Sequence, residues 1–282
     1  MERIEIVEMA PRDGLQNEKH HVATGDKIAL VDALSACGFD RVEVTSFVSP
    51  RWVPQLADAA AVMEGMGRNT SVRYGALTPN MRGLEGALDA RADWVAVFAS
   101  ASEGFSQANI NCSVDESLER FRPVCERASE AGVPVRGYVS CVVECPYDGA
   151  VAPDAVARVT QSLLAMGCEE VSLGDTIGQG TPDAVDAMLR AVLDVAPPDK
   201  LAGHYHDTNG RALESIAVSA KRGLRVFDAA VGGLGGCPYA PGAKGNVDTL
   251  KVDAWAREVG FSTGLDRRRL KDTATLARGL LV

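Results

Sequence analysis

The feature that most constrains this chain is a repeat of form. Short apolar runs of strand composition alternate with amphipathic stretches eight times, at a spacing of about 30 residues. The strand candidates are residues 4–9 (IEIVEM), 41–44, 72–77, 94–99 (WVAVFA), 133–139, 170–173, 201–206 and 226–230. Between them, Thr24 is placed to cap a helix through Cys37, with Ile28, Val31 and Leu34 on one stripe and Gly38 at its end. Ser113 is placed to cap a long helix closed by Gly132, while Pro153 and Pro182 open two more. Further helical patterns cover 55–63, 212–222, 247–258 and 266–281, and residues 100–112 and 140–152 read as loops. Strands separated by helices pair in parallel through crossovers, and eight such units close a barrel. A doubly wound open sheet would gather its site at one switch point. Here unusual polar residues recur after strand after strand, so the expected fold is α/β, a (β/α)8 TIM barrel with additional C-terminal helices.

With 282 residues, 46% hydrophobic and 24% charged, the chain suits one barrel domain over residues 1–282. A formal net charge of −9 argues against an extended nucleic-acid surface and against anionic membrane, so neither is expected as a partner. A small anionic ligand needs only a local basic rim. The start, MERIEIVEMAP, shows no basic stretch leading into an apolar run, and no run approaches the ~20 apolar residues of a membrane helix. The seven cysteines are odd in number and form no CxxC pair, which suits reduced thiols and a cytoplasmic location.

The seventh strand ends in Gly-His-Tyr-His-Asp-Thr-Asn-Gly (residues 203–210). Strand alternation sends His204 and His206 to one face and Tyr205 to the other. Taken alone, H-x-H fits a metal site and a hydrogen-bonded structural pair about equally. A barrel brings the carboxyl ends of all its strands to one rim, where distant residues meet. The rim candidates are Arg12 and Asp13 after strand one, Glu43 and Ser46 at strand two, and Arg136 and Tyr138 at strand five. Asp175 follows strand six, and Cys237 and Asn246 follow strand eight. Two imidazoles, a carboxylate and the amide oxygen of Asn246 make a mixed N/O set suited to Mg²⁺ or Mn²⁺. Each residue also has a plainer reading: Arg12-Asp13 as a solvated loop, Glu43 neutralising Arg41, Asp175 capping a turn, Cys237 as an inert small hydrophobe. Gly232, Gly233, Gly235 and Gly236 around Cys237 suit a mobile lid or a close backbone approach to ligand. A dinucleotide fingerprint would open a first strand–helix unit, and these glycines follow the last strand.

On the segments APRDGLQNEK, EVTSFVSPRWVPQ, NINCS, VRGYVSC, CPYDG, VSLGDTIGQGTP, HYHDTNG and GGLGGCPYAPGAKGN, the chain resembles the 3-hydroxy-3-methylglutaryl-CoA lyase family. That resemblance spans almost the whole chain. It implies cleavage of a 3-hydroxy-3-methylglutaryl thioester, a CoA thioester substrate, to acetyl-CoA and acetoacetate with a divalent ion, Mg²⁺ or Mn²⁺. Asp13, His204, His206 and Asn246 match the family's metal ligands. Arg12 matches the arginine facing the thioester enolate and Cys237 the catalytic cysteine of the signature loop. Glu43 and Asp175 match polar residues supporting the site and, with Asp13 and His204, complete the implied catalytic set. Lys19 matches a contact to the CoA portion, with Asn109 and Arg136 placed beside it. A homo-oligomer is expected as well.

Past Asn246 the chain departs from the family pattern, carrying Leu250-Lys251 where two acids are usual. The departure bears on the substrate more than on the chemistry, and admits another 3-hydroxyacyl-CoA such as citramalyl-CoA or an isoprenoid-derived glutaryl-CoA. A condensing synthase of the isopropylmalate or homocitrate type is disfavoured by the glycine-flanked Cys237. A non-catalytic metal-binding barrel does not explain Arg12 and Cys237 beside the ligands. A cysteine hydrolase would lack a base, since both suitable histidines are spent on metal.

Overall fold

Strand alternation sorts this chain into an apolar outside and a charged inside. The computed structural model describes residues 1–235 and 245–281. Its eight parallel strands are β1 (Glu5–Glu8), β2 (Arg41–Ser46), β3 (Arg73–Leu77), β4 (Trp94–Ser100), β5 (Val135–Ser140), β6 (Glu170–Asp175), β7 (Leu201–Tyr205) and β8 (Val226–Ala229). They close in the order β1-β8-β7-β6-β5-β4-β3-β2, the expected TIM barrel. Around them run α1 (Thr24–Ser35), α2 (Ala59–Gly65), α3 (Met81–Asp89), α4 (Glu103–Ile110), α5 (Val114–Glu130), α6 (Pro153–Ala165), α7 (Pro182–Leu193) and α8 (Ala212–Lys221). The C-terminal additions are α9 (Thr249–Glu258) and α10 (Arg267–Gly279).

Outward strand residues such as Ile6, Val42, Val97, Val139 and Leu173 pack with Leu30, Leu34, Phe121, Leu163 and Leu189 of the helices in one continuous core. A smaller cluster of Val7, Met9, Leu77, Trp94, Ala96 and Tyr138 faces the barrel axis. Room for the Trp94 ring comes from Gly75 on the neighbouring strand, where an added Cβ would lie 2.0 Å from the indole. The rest of the lumen is ionic. Arg41 on β2 reaches Glu170 on β6 at 3.0 Å, and Arg136 on β5 reaches Asp228 on β8 at 2.7 Å. Neither pair joins neighbouring strands, so both cross the lumen. Such charges persist in a water-poor interior because each has a partner; one left alone would cost several kcal/mol, on the order of 3–5.

The loops contain more structure than the sequence pattern foretold. Residues 103–110 form α4, because Ser102 accepts from the Phe105 N–H and Asn111 closes the helix in the left-handed region (φ 50°). Its eight residues are too few for a periodic apolar signal. Within 140–152 a two-stranded hairpin pairs Glu144–Cys145 with Gly149–Ala150. Thr24 begins α1 rather than capping it, and its hydroxyl donates to Asp58 instead. Ser113 does cap α5, forming a reciprocal capping box with Glu116. The six described cysteines are free and buried. Among the described residues no helix is long and apolar enough to cross a membrane.

Candidate active site

Past β1 the chain does not turn straight into a helix. Ala10–Gly14 forms one wide turn, in which the Gly14 N–H donates to the Met9 carbonyl at 3.0 Å. That turn swings Arg12 and Asp13 into the mouth of the barrel. Arg12 is buried, its Nε donating to Glu43 Oε2 at 2.6 Å and its Nη1 to Asp13 Oδ1 at 2.5 Å. Its guanidinium also lies 5.6 Å from the centre of the Tyr138 ring. Glu43 therefore neutralises Arg12, while Arg41 turns to Glu5 and Glu170.

His204 stands one residue before the end of β7 and His206 one residue past it. The backbone of His206 bridges to Asn246, and the Asp207 N–H donates to the Gly245 carbonyl at 2.7 Å, joining the two segments. Both imidazoles converge: their Nε2 atoms are 3.2 Å apart and lie 3.9 Å (His204) and 3.8 Å (His206) from Asp13 Oδ2. Asn246, itself buried, donates its amide to Asp13 Oδ2 at 2.7 Å. The set fits a divalent cation. Ligand bonds of about 2.1 Å at right angles place neighbouring donor atoms about 3 Å apart, close to the imidazole separation. One atom each from Asp13, His204 and His206 lies within 4.8 Å of the others.

Electrostatics follow from burial and pairing. Burial pushes the Asp13 carboxyl up, but Arg12 and the two imidazoles together outweigh it and hold the group well below the usual carboxylate range. For Glu43 burial prevails over the lowering pull of Arg12, so its carboxyl is raised. Burial also raises Asp175, although its oxygens accept from the Gln179 N–H at 3.1 Å and the Gly180 N–H at 2.7 Å. Asp175 thus organises the turn after β6 in the way its sequence context suggested.

Of the residues singled out in the sequence, Arg12, Asp13, Glu43, His204, His206 and Asn246 form one connected cluster. Ser46 is buried at the end of β2. Lys19, in the connection after β1, and Asn109, on the last turn of α4, are both exposed. Arg136 does not stand on the rim: it is the second residue of β5, deep in the lumen, bonded to Glu170 and to the Tyr138 hydroxyl at 2.9 Å. Cys237 and much of the glycine-laden segment around it lie outside the described residues. The unusual Lys251 pairs with Asp207 at 2.8 Å, next to His206, and Leu250 packs on the core, so this departure is accommodated without disturbing the cluster. Two buried acids escaped notice in the sequence, Glu8 and Asp228. The available signal was an ionisable residue inside a short apolar strand.

Fold and site together define an α/β barrel that gathers a carboxylate, two imidazoles, an amide and a guanidinium at its C-terminal mouth, where barrel enzymes carry their active sites. Comparison with known proteins narrows the class. The family model HMGL-like matches residues 3–277, and the chain belongs to that family. It is 54% identical to the 3-hydroxy-3-isohexenylglutaryl-CoA/hydroxy-methylglutaryl-CoA lyase of Pseudomonas aeruginosa, over 96% of this chain and 90% of that one. It is 52% identical to the mitochondrial hydroxymethylglutaryl-CoA lyase of Gallus gallus, over 97% of this chain and 92% of that one. Among solved structures, the HMG-CoA lyase of Brucella melitensis matches with a TM-score of 0.98 and 64% identity, covering 99% of each chain.

Proposed function

We propose that this protein cleaves 3-hydroxy-3-methylglutaryl-CoA to acetyl-CoA and acetoacetate with a divalent ion, Mg²⁺ or Mn²⁺. The observation that carries the reading is the convergence of Asp13, His204, His206 and Asn246 beside the buried Arg12. Those four side chains would hold the ion, which supplies Lewis-acid polarisation of substrate oxygens when bound. The remaining work falls to the chain. Breaking the carbon–carbon bond requires loss of the tertiary hydroxyl proton, and with both imidazoles spent on the ion the Asp13 carboxylate is the acceptor at hand. The departing acetyl thioester leaves as an enolate, whose oxygen the Arg12 guanidinium would face, held in place by Glu43 and Asp13. Cys237 would return a proton to the enolate carbon. Lys19 and Asn109, exposed on connections after β1 and β4, would contact the CoA portion. We place the reaction in the cytoplasm, in a homo-oligomer.

Dialysis against chelator should abolish release of acetoacetate, and Mg²⁺ or Mn²⁺ should restore it. Full turnover by rigorously metal-free protein would refute the reading. A second substrate is favoured by the 54% identity to the Pseudomonas aeruginosa protein named for two. Comparing kcat/KM for 3-hydroxy-3-methylglutaryl-CoA and the isohexenyl thioester decides which branch at carbon 3 the site prefers.

A further inference from the structure

Asp228 is buried on β8, and its carboxylate organises one of the groups at the mouth. Oδ2 lies 3.1 Å from His204 Nδ1 and accepts from the Ser172 hydroxyl at 2.8 Å. Oδ1 faces Arg136 Nη2 at 2.7 Å, an ion pair outside hydrogen-bond alignment. Arg136 is itself fixed from two other sides, by Glu170 at 2.7 Å and the Tyr138 hydroxyl at 2.9 Å. The Asp228 carboxylate is therefore held on both sides, by hydrogen-bond contacts at Oδ2 and by the guanidinium charge at Oδ1.

A carboxylate only accepts, so a short contact to His204 Nδ1 requires the proton on Nδ1. The other arrangement would put the proton on Nε2, donating to His206, and set the Nδ1 lone pair against a buried carboxylate. A charge-assisted bond is roughly twice as strong as the neutral bond between imidazoles, so the Nδ1–H tautomer prevails. Its consequence is that the Nε2 lone pair points at Asp13 and His206. We infer that Asp228, clamped by Arg136 and Ser172, is a positioning residue that sets the tautomer and ring plane of His204 for the cation. The inference rests on the metal reading above and assigns Asp228 no contact with substrate.

Asp228→Asn isolates this effect because it keeps the volume. Arg136 retains the amide oxygen, which turns the amide N–H toward His204 Nδ1 and forces the proton to Nε2, into the cation site. Mn²⁺ titration of metal-free protein, followed by electron paramagnetic resonance, should show Kd raised about 10–100-fold. With four histidines in the chain, ¹⁵N-histidine labelling resolves the tautomer directly, and it should invert in Asp228→Asn. An unchanged tautomer, or an unchanged Mn²⁺ affinity in folded Asp228→Asn, overturns the inference. If that variant fails to fold, the unaltered protein still decides: His204 carrying its proton on Nε2 without metal refutes it. Absence of Mn²⁺ binding by the unaltered protein would instead defeat the metal reading, whatever the tautomer.

Discussion

Glu8 offers the sharpest test of how the barrel holds its mouth together. Its Oε1 accepts from the Ala10 N–H at 2.9 Å and the Val231 N–H at 2.8 Å, and its Oε2 accepts from the Thr249 hydroxyl at 2.8 Å. One side chain thus ties the wide turn bearing Arg12 and Asp13 to both flanks of the segment that ends in Asn246. Burial pushes the carboxyl from 4.5 up to about 7, against the lowering pull of these three bonds. Between those values the folded protein binds a proton that the unfolded chain releases, so stability falls as pH rises. The contribution is fully present below pH 4.5 and gone above about 7. At about 1.4 kcal/mol per pH unit the loss is about 3 kcal/mol. Glu8→Gln keeps the geometry, because the amide oxygen takes both N–H bonds and the amide N–H meets the Thr249 hydroxyl, but it cannot titrate. Urea unfolding followed by tryptophan fluorescence, from pH 4.5 to 8, gives the difference between the two proteins. The unaltered protein should lose about 3 kcal/mol relative to Glu8→Gln across that range. Parallel stability–pH curves would refute the account of Glu8 as a buried, raised carboxyl.

Arg12→Gln should lower kcat by about 10²–10³-fold with a weaker effect on Mn²⁺ affinity, as an enolate-facing donor requires. A change confined to KM would make Arg12 a simple binding residue. The same substitution strands Glu43 in the interior, so stability should fall by roughly 3–5 kcal/mol. Adding Glu43→Gln should recover most of that stability and none of the activity; failure to recover would place the loss elsewhere. Gly75→Ala drives a methyl group into the Trp94 ring, and the melting temperature should drop by an amount equivalent to about 1–3 kcal/mol or more. An unchanged melting temperature would mean the indole yields freely.

Periodicity, with unusual polar residues recurring after the strands, determined the barrel. Eight apolar runs interleaved with helical stripes leave few ways to bury both faces of a sheet, so the architecture was legible before any contact was known. The cluster at the mouth was legible too, because strand ends collect on one rim and H-x-H puts both imidazoles on one face. What one dimension could not carry was depth along the strands. Arg136 and Glu43 sit on strands much like rim residues do, yet Arg136 lies near the start of β5 and spends its charge on Glu170 and Asp228. Glu43 found its partner in Arg12, presented by a turn of unusual width, and not in Arg41 nearby in sequence. Short helix α4 and the 144–150 hairpin are held by local caps and pairings too brief for a periodic signal. Asp228 and Glu8 gave only a lone acid in an apolar strand, because their meaning lies in partners contributed by distant strands. Pairing across a closed lumen depends on which strands face one another, and only closure of the barrel decides that.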